Sequence, residues 1–201
     1  MAIVVRILYE DQFGPQNRFG LHRFLLRCAC DDCEIDDTRL YMADQCLDCI
    51  PKKGNSKLLA TIRQELAHLS HGNVRVIAVF DNDKVRDLLA LPADVSDESV
   101  VHAITDGQDH AALRVILLKE NAESILQWAD ECGANFDPAD REAAVRRKEL
   151  GARDALFGRI TASAKKTIRD CIREKMPSLG PLIDTIANIL RPIPELGAGA
   201  H

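Results

Sequence analysis

The chain has 201 residues, 46% of them apolar and 28% charged, with a formal net charge of −5. That length can bury roughly 70% of the unfolded surface around one main core, and the composition excludes a disordered chain. No apolar run approaches the ~20 residues of a membrane span, and the acidic balance argues against a protein that coats nucleic acid without metal ions.

Ile3–Tyr9 (IVVRILY) is a β-branched run that predicts a first buried strand, followed directly by Glu10 and Asp11. Acid at that point, with no small-residue cleavage site, distinguishes the segment from a signal peptide and leads to an expectation of a cytoplasmic protein. Gly14, Pro15 and Asn17 predict a loop. Phe19, Leu21, Phe24, Leu25 and Cys28 are spaced as one face of a helix, which the acidic stretch Asp31–Asp37 ends. Thr38–Ala43 predicts a second strand. Pro51–Ser56 reads as a loop, with Asn55 or Ser56 capping a helix that runs to about Leu69. Val74–Phe80 (VRVIAVF) is the clearest strand; it ends in Asp81-Asn82-Asp83 and leads into a short helix, Lys84–Ala90. A short helix near Glu98–Ile104 precedes a last strand, Arg114–Leu118. Glu120–Cys132 predicts a helix closed by Gly133. Beyond Pro138 the chain reads as helical throughout, over Pro138–Leu150, Arg153–Ile160, Ala164–Lys175 and Leu182–Leu190.

Strands alternating with helices imply an α/β fold. The expectation is a parallel four-stranded sheet with helices on both faces over residues 1–133, and a helical C-terminal extension over 134–201. In such folds ligands gather at the carboxyl ends of the strands, where Glu10, Asp11, Asp81, Asp83 and Glu120 fall. Massed carboxylates raise one another's pKa unless a cation neutralises them, and hard oxygen ligands suit Mg²⁺ or Mn²⁺. In extended geometry Asp81 and Asp83 share a face, with roughly 6.5–7 Å between their Cα atoms. Two ions ~4 Å apart among such acids can activate water and stabilise a leaving oxygen in phosphodiester cleavage. Lys53 and Lys57 flank a helix start that suits a phosphate, although the P-loop spacing is absent.

A glutamate closing the first strand and an Asp-x-Asp closing a later hydrophobic strand (VIAVFDND) resemble the TOPRIM domain of topoisomerases, primases and nucleases of the overcoming-lysogenization-defect type. The resemblance covers roughly residues 1–130. It implies a parallel α/β sheet, Mg²⁺ dependence and phosphodiester chemistry on nucleic acid. Glu10 would be the glutamate of the first motif, and Asp81 and Asp83 the aspartate pair. Asp11 stands where that motif usually has Gly. In the nuclease branch a glutamate follows the last core strand, and Glu120 or Glu123 would correspond, binding a second metal or acting as base. That branch implies a defence or toxin role and, for a domain without an ATPase, a protein partner.

There are seven cysteines. With no export signal, free thiols or a metal site are expected rather than a disulfide framework. Cys30-x2-Cys33 and Cys46-x2-Cys49 lie twelve residues apart, the spacing of a structural Cys₄ zinc site. The same residues read equally as buried thiols. Cys132 and Cys171, alone on their helices, are expected in the core. Two other function classes follow from the same residues. One is a non-enzymatic, zinc-stabilised interaction module. The other is a receiver-like domain in which Asp81 accepts a phosphoryl group beside Glu10, Asp11 and Lys119. No membrane partner is expected.

Overall fold

The computed structural model describes residues 5–10, 20–66, 75–108, 111–119 and 122–193. Four parallel strands, β1 (Val5–Glu10), β2 (Leu47–Lys52), β3 (Arg75–Asp81) and β4 (Leu113–Leu118), form one sheet in the order β2-β1-β3-β4. The expected α/β class, with a parallel four-stranded sheet and a helical C-terminal part, is what the chain adopts. By contacts the chain divides into two compact units. One holds residues 1–16 and 45–119, the other residues 17–44 and 120–201. The helical segment that follows β1 is therefore grouped with the C-terminal helices, not with the strands between which it lies in sequence.

In the sheet unit, α3 (Asn55–Leu66), α4 (Asn82–Leu88) and α5 (Asp97–Ile104) cover one face. Period-two alternation sends Leu8, Val76, Ala78 and Phe80 to that face. Helical spacing brings Leu58, Ile62 and Leu66 of α3 and Val100 and Ile104 of α5 against them. Ile7, Tyr9, Ile77, Val79, Ile116 and Leu118 point to the other face and are equally buried, as a parallel sheet requires. Ser96 caps α5 by accepting from Ser99 N–H.

The second strand is not Thr38–Ala43, where it was expected. Those residues lie in helix α2 (Asp37–Gln45), and Tyr41 and Met42, which give the segment its strand-like look, are exposed. The cause is a cap. The Asp36 carboxylate accepts from the N–H groups of Thr38 and Arg39 at 2.9 and 3.1 Å and starts the helix. The strand is instead Leu47-Asp-Cys-Ile-Pro-Lys52, which reads poorly because of Asp48 and Pro51. It lies at the sheet edge, where a strand tolerates proline.

The helical unit packs α1 (Leu21–Asp32) with α6 (Ala122–Ala129), α7 (Pro138–Arg141), α8 (Leu150–Ile160), α9 (Lys166–Lys175) and α10 (Gly180–Leu190). α1 buries Phe24 through Cys30, including Arg27. Arg169 of α9 is fully buried. Its Nε and Nη2 donate to the two carboxylate oxygens of Asp31 at 2.7 and 3.1 Å, and its Nη1 donates to the carbonyls of Ile160 and Ala162. Arg27 pairs with Asp31 at 3.2 Å and with Asp37. Cys132, in the π-helical turn Asp130–Ala134 after α6, forms a disulfide with Cys171 of α9, against the expectation that both are unpaired core thiols. Sequence spacing cannot reveal that contact, because the two cysteines are 39 residues apart.

Candidate functional site

The sheet changes winding direction between β1 and β3. From β1 the chain goes to β2 on one side, and from β3 to β4 on the other. The crevice outside the carboxyl ends of two such strands is where open α/β sheets take ligands. Glu10 is the last residue of β1, and Asp81 is the last of β3. Both carboxylates turn to one cation. Lys84 Nζ lies 3.1 Å from Glu10 Oε2 and 3.1 Å from Asp81 Oδ2. Glu10 is largely buried, with 12% of its side chain exposed, against 28% for Asp81 and 53% for Lys84. Burial pulls the Lys84 ammonium pKa down, but the hydrogen bonds it donates to Asp81 and Glu10, and their charges, outweigh it and leave it raised.

Local sequence explains the placement. Asp81 takes the N-cap position of α4 in extended conformation, but its side chain makes no capping hydrogen bond and stays available. Lys84 follows by i,i+3, the spacing that puts two helical side chains on one face. The helix is pinned by Arg86, buried in its second turn. Arg86 donates to Asn82 Oδ1 at 2.9 Å, to the Val95 carbonyl at 2.6 Å and to Asp97 at 2.6 Å. Lys52, the last residue of β2, is the register partner of Glu10. The site is thus two acids set among lysines. The one signal in the sequence for a site role of Lys84 is its i,i+3 spacing from Asp81.

The other expected site residues are placed differently. Asp83 does not share an extended face with Asp81. The strand ends at Asp81, and Asp83 lies exposed in the first turn of α4, because the Asp81 backbone already starts the helix. Asp11 and Glu120 lie outside the described residues. Glu123 falls in the first turn of α6, and its side chain is outside the described residues too. Lys53 and Lys57 are exposed on either side of the α3 start. Lys119 follows Leu118, the register partner of Asp81.

Among the described residues, no group of three or more His, Cys, Asp or Glu side chains is arranged to hold a metal ion. Cys30 and Cys33 are buried in and just beyond α1, in the helical unit, whereas Cys46 and Cys49 precede and enter β2 in the sheet unit. Cys33 Sγ donates to the Ala187 carbonyl at 3.4 Å. Burial pushes the Cys28 thiol up to about 12 against the pull of Arg169 and Arg173, and burial pushes Cys30 up to about 12 against Arg27. Cys28 and Cys30 are therefore protonated, unreactive core groups at neutral pH.

Neither protein-family profiles, nor curated proteins, nor solved structures give a match to this chain. No helix among the described residues is long and apolar enough to cross a membrane.

Proposed function

We propose that the chain is a Mg²⁺- or Mn²⁺-dependent enzyme that cleaves phosphodiester bonds of nucleic acid, a nuclease of TOPRIM type. One observation carries the reading. Glu10 and Asp81, from neighbouring strands at the switch point, aim their oxygens at a single cation. Two carboxylates, with water and phosphate oxygens completing the shell, are an ordinary Mg²⁺ donor set, so the residues suit the ion once Lys84 is displaced. A bound divalent ion supplies charge neutralisation and an activated water. Glu10 and Asp81 would hold the cation, and Lys84, released from them, would offer its charge to the phosphate. Asp83 and Asp11 are the acids this reading assigns to a second ion or to proton abstraction. A defence or toxin role and a protein partner belong to the same reading only as extensions of it.

The test is cleavage of single- and double-stranded DNA and RNA with Mg²⁺, with Mn²⁺ and with chelator. The expected result is metal-dependent cleavage that Glu10→Gln and Asp81→Asn each lower at least about a hundredfold while circular dichroism stays unchanged. Wild-type protein that neither cleaves any substrate nor binds Mn²⁺ by calorimetry would sink the reading. Lys119, one residue after Leu118, the register partner of Asp81, supports a second reading, a receiver-like phosphoacceptor. Acetyl phosphate with Mg²⁺ should then phosphorylate the wild type and not Asp81→Asn.

A further inference from the structure

We propose that the N-terminus of α3 and the buried carboxamide of Asn55 form a phosphate-binding site on the same edge of the sheet as Glu10 and Asp81. The Gly54 carbonyl accepts the first bonds of the helix, from Lys57 N–H and Leu58 N–H, both at 3.1 Å. The N–H groups of Asn55 and Ser56 consequently have no acceptor within the helix. Asn55 is 7% exposed, and among the described residues neither its Nδ2 nor its Oδ1 has a hydrogen-bond partner. Buried polar side chains without partners are rare in native folds and call for a ligand, an ion or a water. Helical Cα–Cβ bonds tilt toward the N-terminus, so the side chain of this first residue leaves the backbone toward the same end as the free N–H groups.

Charge and access agree with an anion. The helix N-terminus carries the positive end of its dipole. Lys52, Lys53 and Lys57 bracket it, the first half-buried and the other two exposed. Gly54 has φ +88, and a Cβ built there would meet nothing within 4 Å, so the space beside this turn is open at Gly54. A phosphate oxygen would accept from Asn55 Nδ2 and the two main-chain N–H groups, while Oδ1 accepts from a lysine ammonium or a water. The ligand class, a phosphate mono- or diester, rests on the phosphodiester reading above. The placement fits it, since Lys52, which leads into this turn, is the register partner of Glu10. The site would hold a phosphate of the substrate while the acid pair acts on another.

The test is an amide-resolved NMR titration of the whole ¹⁵N-labelled chain, with chelator present and ionic strength held constant by chloride. The probes are inorganic phosphate and a thymidine dinucleotide with and without a 5′-phosphate. Saturable shifts at Asn55 and Ser56 N–H and at the Asn55 carboxamide are expected. Asn55→Asp and Lys57→Gln should each weaken binding at least about tenfold. Because Asn55→Asp also buries a carboxylate and lowers stability, Lys57→Gln, at an exposed residue, keeps the loss of binding separate from a loss of folding. Saturation by inorganic phosphate alone would assign the site to free phosphate, and saturation by either dinucleotide would assign it to nucleic acid; both support a phosphate site. No saturable shift with any probe, or binding indifferent to both substitutions, would overturn it and leave Asn55 holding a water. Because chelator blocks cleavage, binding here stands or falls separately from nuclease activity.

Discussion

Lys84 neutralises two carboxylates at once, so its removal should have opposite effects on the empty and the metal-loaded protein. Lys84→Met leaves Glu10 and Asp81 facing each other without a counter-charge, which lowers stability in chelator. It also removes the competitor for a divalent ion. The expected outcome is a lower melting temperature in chelator, restored by Mn²⁺, and several-fold tighter Mn²⁺ binding by calorimetry; unchanged Mn²⁺ affinity would contradict the site. The cysteines give a second prediction. For Cys28 and Cys30, with pKa pushed to about 12, only about one thiol in ten thousand is ionised at pH 8. Both should resist a thiol reagent in native protein, while half-exposed Cys49 reacts. The raised pKa also sets a pH dependence. The fold favours the protonated thiols, so their contribution is complete below the ordinary value of 9.0 and is lost as pH rises toward 12. Thermal melts should hold steady to about pH 9 and fall beyond it on this account. Glu10 and Asp81 were legible in the sequence because a strand end is a recognisable place. Lys84 and Asn55 were not, because what distinguishes them is a pair of contacts and an absence of contacts.

The elements that sequence located are those whose pattern and environment agree. β3 and β4 are apolar because they are central or face a full core, and α3 and α5 carry their stripes at helical spacing. The failure at β2 came from an edge strand that keeps polar residues and proline, next to a helix held by the Asp36 cap rather than by an apolar face. The order of strengths suggests where substitution matters. Phe80→Ala, in the fully buried centre of the sheet unit, should cost about 3–5 kcal/mol in denaturant unfolding, whereas Tyr41→Ala on exposed α2 should stay within about 0.5 kcal/mol. In the helical unit the Cys132–Cys171 bond ties the turn after α6 to α9 across 39 residues. Closing a loop of that length is worth about 4 kcal/mol in the unfolded-chain account. The Cys132→Ala/Cys171→Ala double substitution should therefore lower the denaturant midpoint clearly, and reductant should do the same to the wild type and nothing to the variant.

Across the whole molecule, two compact units are each assembled from segments far apart in sequence. The class of fold was legible from the alternation of strands and helices, but this grouping was not, since nothing in the periodicity of residues 20–44 says which helices they pack on. The Asp31–Arg169 pair measures how strongly the helical unit depends on its ends, 138 residues apart. Arg169→Met should destabilise by about 3–5 kcal/mol, because Asp31 and two carbonyls lose a fully buried donor; a loss below about 1 kcal/mol would show that Arg27 compensates. The same separation has a consequence for synthesis on the ribosome. At roughly 5–20 residues per second, Arg169 is made on the order of ten seconds after Asp31. For most of that interval α1, with Phe24, Leu25 and Leu26 destined for the interior, lacks α8, α9 and α10, the C-terminal helices it packs against. A pause in translation before α9 should lengthen that exposure and lower the yield of native protein, and a chaperone that shields apolar helices should restore it.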